Sequence, residues 1–278
     1  MNSKGQETGC LFAFLKTIRS NANTFNTNKV YIAWDRKLVT DSVNFRKTLT
    51  EGTYKGTRDH ERNKDVYSYM DEVLKCTTAL GIKNIYPGVL EADDVISWLS
   101  KNISGKKIIV SVDNDFAQLV APDISFYNPI KKTIVDTSNF EEQFNLTPKE
   151  YLYYKAIVGD VSDNINGIEG FGKIKGQRLA KTYAANQLDV AEEYQAIIKE
   201  NLKLVDLSYG LEKHPEEIDL YKEQLNKLTS IEPDFNTFID YCNDLEFNSI
   251  IDDMDKWKKT FGKSGINQSI VDFCKRFE

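Results

Sequence analysis

The chain has 278 residues, 41% hydrophobic and 28% charged, and a mean hydropathy of −0.46. That is an ordinary soluble, globular composition, long enough for one large domain or one plus a smaller appendage. No apolar run approaches the ~18 residues that span a bilayer and no signal-peptide pattern opens the chain, so a membrane protein is excluded and a cytoplasmic one expected. Cys10, Cys76, Cys242 and Cys274 form no C-x-x-C pair, and with only His60 and His214 they make no zinc site; reduced thiols are expected.

Taken in order, residues 11–20 read as a helix, and KVYIAWD (29–35) as a buried strand closed by Asp35. A helix over 62–80 precedes a short strand, IKNIY (82–86), and LEADDVI opens a helix over 92–102 with Glu91, Asp93 and Asp94 at its start. KKIIVSVD (106–113) is the strongest strand and ends on Asp113, with Asp115 opening a helix over 115–120. Strands follow at 124–127 and 133–136. This alternation predicts an α/β domain with a mostly parallel sheet, whose ligands bind at the carboxyl ends of the strands. From Thr147-Pro148 the pattern becomes helical, and residues 190–278 read as all-helical and acidic.

Four carboxylate groups therefore fall beside strand ends and helix starts: Asp35; Glu91, Asp93 and Asp94; Asp113 and Asp115; Asp160 and Asp163 of IVGDVSDN. Each alone has a plain structural reading as a helix cap or a solvated strand end. Together they would repel and raise one another's pKa unless hard cations neutralise them, and Mg²⁺ prefers oxygen ligands. A pair of such ions is the usual device for phosphodiester hydrolysis.

The net charge of −6 is resolved locally. Residues 36–58 carry Arg36, Lys37, Arg46, Lys47, Lys55 and Arg58 against Asp41 and Glu51, and residues 173–181 carry Lys173, Lys175, Arg178 and Lys181 with no acid. Basic patches around an acidic pit can bind a polyanion despite a negative total. FRKTLTEGTYKGTR (45–58) is either a solvated basic helix face or a phosphate-gripping element that stacks a base on Tyr54, with Lys55 or Arg58 suited to charge building on a phosphate. Gly167, Gly170 and Gly172 lie between two helical segments. They permit positive φ and close backbone approach, and are either a plain helix-loop-helix connection or, with the helix that follows, an anion nest.

Asp35, FRKTL…YKGTR, LEADDVI, SVDNDFAQLV and GDVSDNINGIEGFGKIKGQRLA occur in the order seen in 5′-nucleases. Over roughly residues 5–185 the chain resembles the 5′→3′ exonuclease/flap endonuclease family in its stand-alone bacteriophage (phage ribonuclease H) form, related to the 5′-nuclease domain of bacterial DNA polymerase I. The resemblance implies a PIN-like catalytic domain at 1–146 with a helical arch. It also implies a helical domain at 147–278 with a helix-hairpin-helix DNA-binding element at about 160–185. One metal group would comprise Asp35, Glu91, Asp93 and Asp94 with Asp113 shared; the other would comprise Asp113, Asp115, Asp160 and Asp163. Mg²⁺ is the implied metal, with Mn²⁺ able to substitute and K⁺ at the hairpin. Tyr54, Lys55 and Arg58 would lie at the base of the arch, Lys155 would be a further basic site residue, and Arg46, Lys47, Gly167, Gly170, Gly172, Lys173, Lys175 and Arg178 would contact DNA.

Family members begin with an apolar strand ending in an aspartate that binds metal, and the residues from Met1 onward hold no match for it. The implied function is a metal-dependent 5′-nuclease acting on branched or nicked DNA and RNA:DNA primers during replication. It would act as a monomer, with a single-stranded DNA-binding protein or sliding clamp as protein partner. The alternative is a structure-specific DNA-binding protein whose catalysis is impaired by the unmatched aspartate.

Overall fold

The computed structural model describes residues 2–35, 44–56, 70–228 and 231–262. The elements in chain order are α1 (Gly9–Thr24), β1 (Tyr31–Ala33), α2 (Phe45–Leu49), α3 (Met70–Ala79), β2 (Lys83–Ile85), α4 (Ala92–Asn102), β3 (Lys107–Val110), β4 (Ile124–Asn128) and β5 (Thr133–Val135). They continue with α5 (Phe140–Phe144), α6 (Pro148–Val158), β6 (Gly159–Asp160), β7 (Ile165–Asn166), α7 (Lys173–Ala185), α8 (Glu192–Val205) and α9 (Tyr209–Lys213). The last are α10 (Glu216–Leu228), α11 (Phe235–Asp244), α12 (Asn248–Ile251) and α13 (Met254–Phe261). A 3₁₀ turn, Asn114–Leu119, stands where a helix over 115–120 is expected. Of the helix expected over 62–80, Met70–Ala79 is seen; residues 62–69, and Arg58 with them, lie outside the described residues. No described helix is long and apolar enough to cross a membrane.

By contact density the chain parts into two compact units that interleave along the sequence: residues 1–34, 59–85 and 222–278, and residues 35–58 and 86–221. The first is built on helices whose apolar positions recur at helical spacing. Leu11, Leu15 and Ala22 of α1 are buried with Cys76 and Ala79 of α3, Phe238 and Cys242 of α11, and Trp257 and Phe261 of α13. Its only described strands, β1 and β2, pair in parallel.

The second unit holds a three-stranded sheet in the order β3-β4-β5. β3 and β4 pair in parallel across the 3₁₀ turn, whereas β4 and β5 pair antiparallel. A single, mostly parallel sheet is thus not what forms among the described residues. The reason is local for β5: only four residues separate it from β4. Asn128 accepts the Ile130 and Lys131 N–H groups at 3.1 and 3.0 Å and Lys132 adopts φ 55°, a tight turn that can only reverse the chain. Helix α6 starts at a reciprocal cap: Glu150 N–H donates to Thr147 Oγ1 (3.3 Å) and Thr147 N–H to Glu150 Oε2 (2.7 Å), with Pro148 in the first turn. Ala156 and Ile157 of α6 join Phe116, Phe126, Ile165, Ala180 and Ile198 in the unit's core.

Candidate active site

The second unit contains a cavity of about 280 Å³ lined by six carboxylates, Asp35, Glu91, Asp93, Asp113, Asp115 and Asp163, and by two cations, Arg46 and Lys55, with Tyr54. Glu91 and Asp93 come from the start of α4, Asp113 and Asp115 from the turn after β3, and Asp163 from the turn between β6 and β7. Asp113 is placed by its own turn: its N–H donates to Ser111 Oγ (3.1 Å) and its Oδ1 accepts the Asp115 N–H (2.9 Å).

Countercharge comes from three side chains. Lys55 Nζ lies 2.6 Å from Glu91 Oε1, and Lys155 Nζ lies 2.8 Å from Asp115 Oδ1 and 2.5 Å from Asp160 Oδ2. Arg46 is 2% exposed; its guanidinium donates twice to Asp94 (2.7 and 2.8 Å), once to Glu91 (3.2 Å), and its Nε donates to the Leu204 carbonyl (2.9 Å). Asp94 is fully buried and also accepts the Glu91 N–H (3.0 Å). Arg46 and Asp94 therefore face each other in the interior, Arg46 at the cavity lining and Asp94 outside it.

Tyr54 is 3% exposed, so its ring is packed in the core; its hydroxyl lies 3.1 Å from both Glu91 Oε2 and Asp163 Oδ2. The Lys55 ammonium sits 4.9 Å from the centre of that ring. Lys47 is half-buried on α2. Asp160 and Lys155 border the site without lining the cavity, and Ser162 N–H and Oγ both donate to Asp160 Oδ1 (2.8 and 2.6 Å).

The carboxyl groups differ in affinity for protons. Burial pushes Asp93 up to about 7 against the pull of Lys55, and the charges of Glu91, Asp113 and Asp35 push the same way. Burial also raises Asp115, with Lys155 only partly offsetting it. Burial would raise Glu91 too, but Lys55 and then Arg46 outweigh it, so its pKa falls below the ordinary value. Asp160 is brought down to about 2, burial being overcome by the hydrogen bonds from Lys155 and Ser162.

The donor chemistry suits hard divalent cations. All donors are oxygens, and six lining carboxylates exceed the two lining cations. Burial and that surplus of negative charge raise the pKa of Asp93 and of Asp115, a strain that a cation would relieve. Among the described residues no three carboxylate, histidine or cysteine groups close around a single point, and the lysines stand against the acids instead.

Beyond the cavity, α6 turns through the β6–β7 ladder into α7. Two glycines make that turn possible. Gly159 has φ 73°, and a Cβ there would lie 2.3 Å from the Ile165 carbonyl oxygen; at Gly167 a Cβ would lie 2.2 Å from the Val158 carbonyl oxygen. Of the three hairpin glycines expected from the sequence, Gly170 has positive φ (77°), Gly167 serves close approach, and Gly172 is the residue preceding α7. Lys173, Lys175 and Arg178 are exposed on α7.

Sequence reasoning overlooked Gly159, the buried pairing of Arg46 with Asp94, and Asn201. The Asn201 amide donates to the carbonyls of Ala156 and Asn166, both at 2.8 Å, pinning the end of α6 to β7. The glycine in IVGDVSDN was a visible signal; a lone asparagine in a helix was not.

An α/β frame carries a carboxylate-rich, oxygen-donor cavity edged by lysines, a donor set of the kind that metal-assisted hydrolases of phosphodiesters use. The family model for the 5′-3′ exonuclease N-terminal resolvase-like domain matches residues 1–145. The 5′-3′ exonuclease of Buchnera aphidicola subsp. Schizaphis graminum is 30% identical over 250 residues, 81% of this chain and 85% of that protein. That of Aquifex aeolicus is 27% identical over 265 residues, covering 91% and 88% respectively. Among solved structures, the flap endonuclease of bacteriophage T5 in complex with DNA and metal ions superposes with a TM-score of 0.66 at 21% identity, over 83% of this chain and 92% of that one. The chain belongs to the 5′–3′ exonuclease family, and it is a nuclease.

Proposed function

We propose that the chain is a Mg²⁺-dependent 5′-nuclease, with Mn²⁺ able to substitute, that cleaves flap or nicked DNA and RNA:DNA primers. The observation that carries it is the meeting of six carboxylates with Lys55 on one cavity of the second unit. The T5 relative is a flap endonuclease seen with DNA and metal ions, which supports the same substrate class here.

Asp35, Glu91, Asp93, Asp113, Asp115, Asp160 and Asp163 are the residues we assign to holding metal. Divalent ions bound there supply polarisation of the phosphodiester and a lowered pKa for the attacking water. Lys55, already in the cavity, neutralises charge developing on the scissile phosphate, with Arg58 as its expected companion. Lys155 keeps Asp115 and Asp160 oriented toward each other. Asp94, expected as a ligand, is read here as the anchor that fixes Arg46, and through it Glu91. Tyr54 is read as a buried brace for Glu91 and Asp163 instead of a stacking platform.

Outside the cavity, the Gly167–Gly172 hairpin and the exposed Lys173, Lys175 and Arg178 form the helix-hairpin-helix grip on duplex phosphates, a K⁺ ion being a fitting partner for the hairpin carbonyls. Lys47 adds a phosphate contact. In this reading residues 1–146 carry most of the chemistry, joined by Lys155, Asp160 and Asp163, and the rest of 147–278 carries the grip. The protein acts as a monomer in the cytoplasm, alongside a single-stranded DNA-binding protein or clamp. A 5′-labelled flap incubated with Mg²⁺ tests the proposal: short labelled products support it, and binding without products removes the nuclease assignment.

A further inference from the structure

Residues 53–55 and 163–164 meet at a clasp of three polar contacts, with a fourth from Tyr54 to Glu91. Asn164 Nδ2 donates to the Thr53 carbonyl (2.9 Å), Lys55 N–H donates to the Asp163 carbonyl (3.0 Å), and the Tyr54 hydroxyl reaches both Asp163 and Glu91 (3.1 Å each). Both segments contain a left-handed residue, Lys55 at φ 54° and Asn164 at φ 58°. For lysine that conformation is unfavourable and has to be held by its surroundings, whereas asparagine adopts it readily. The exposed Asn164 is thus the low-strain half of the clasp, and Lys55 is the strained half that carries its ammonium to Glu91.

We infer that Asn164 is a positioning residue: its side-chain amide clamps the Thr53–Lys55 turn, so that Lys55 enters the cavity in its left-handed conformation and Tyr54 stays wedged between Glu91 and Asp163. Asparagine alone among the short side chains combines easy left-handed geometry with an amide donor. Glycine keeps the geometry and loses the donor, and aspartate keeps the geometry but offers an acceptor to a carbonyl. The clasp also joins the turn leaving β6 to the segment that follows α2, so the hairpin's placement and that of Lys55 share one fastening.

This inference rests on the reading of Lys55 as the group that meets the scissile phosphate. Asn164→Gly and Asn164→Asp, alone and combined with Lys55→Ala, separate the two. We expect both single variants to keep the melting temperature and bring KM for flap DNA within about twofold of the parent. They should lower kcat about tenfold, the scale on which misplacing a reacting group acts. Hydrogen exchange at the Lys55 amide should accelerate, and in the Lys55→Ala background neither variant should lower kcat further. Unchanged protection of the Lys55 amide overturns the clasp whatever the protein cleaves. An unchanged kcat, a change in KM alone, or effects that multiply with Lys55→Ala overturn the positioning role. Parental cleavage by Lys55→Ala removes the role of Lys55 itself, and the inference with it.

Discussion

Arg46 grips Asp94 through two parallel hydrogen bonds of 2.7 and 2.8 Å, both side chains being almost wholly buried. Such a fork is worth little in net terms, since taking both charges from water costs about what their attraction returns, but breaking it strands the survivor. Arg46→Ala and Asp94→Ala should each destabilise the protein by about 3–5 kcal/mol, and Arg46→Lys by more than its conserved charge suggests because one point charge cannot serve both oxygens. Denaturant unfolding of the three variants measures this; losses below 1 kcal/mol would show that the pair is not an anchor.

Asp93 predicts a pH dependence in the metal-free protein. Its folded pKa, about 7, stands above its ordinary 3.8, so the native state binds the proton more tightly than the unfolded state does. The stabilising contribution is therefore complete below about 3.8 and is lost as pH rises through 7. Melting temperatures in EDTA should fall between pH 5 and pH 8 through this group, and Asp93→Asn should flatten that part of the profile. An Asp93→Asn profile parallel to the parent's would contradict the assignment.

Lys155 stands between Asp115 and Asp160 at 2.8 and 2.5 Å. Lys155→Met leaves the two acids facing each other, so the metal-free protein should melt several degrees lower, as expected for a loss of about 1–2 kcal/mol in a chain of this size. The rise in melting temperature on adding Mg²⁺ should be larger than in the parent, because the ion then supplies the only countercharge. An equal or smaller Mg²⁺ shift would mean that Lys155 does not stand in for a cation.

Gly159→Ala and Gly167→Ala place a Cβ within 2.3 and 2.2 Å of backbone oxygen, so the β6–β7 ladder has to open. Flap-DNA affinity should fall by about tenfold or more, since phosphate contacts depend on the hairpin, and Mg²⁺ binding should weaken as well, because Asp160 of β6 and Asp163 of the β6–β7 turn move with the ladder. Fluorescence anisotropy and calorimetry separate the two effects.

Much of this arrangement was legible in the sequence because it obeys local rules. The start of α4 at Ala92, the capped start of α6 at Pro148 and the strand before Asp113 follow from patterns of a few residues. Asp35, Glu91, Asp93, Asp113, Asp115 and Asp163 line one cavity, and all but Asp163 stand beside a strand end or helix start, where the sequence pattern marks them. What escaped depends on partners far along the chain. Nothing near Arg46 says that it is buried; its fate is set by Asp94 and by the Leu204 carbonyl, 158 residues away. Tyr54 reads as an exposed aromatic in a basic stretch until Asp163 is brought to its hydroxyl. β5 is legible as a strand but its antiparallel direction is not, because alternation of strands and helices fixes the class of a sheet, whereas the turn at Asn128 fixes the direction of one strand.

The central claim is that the carboxylates of this cavity hold the ions that cut a 5′ strand. The most direct measurement is single-turnover cleavage of a 5′-labelled flap by the parent and by Asp113→Asn and Asp160→Asn, with Mg²⁺ and with EDTA, alongside DNA affinity. The account predicts short 5′ products from the parent only with Mg²⁺. Both variants should bind the flap within a few-fold of the parent and lose cleavage by at least about 10²-fold. Mg²⁺-dependent turnover retained in both variants would contradict it.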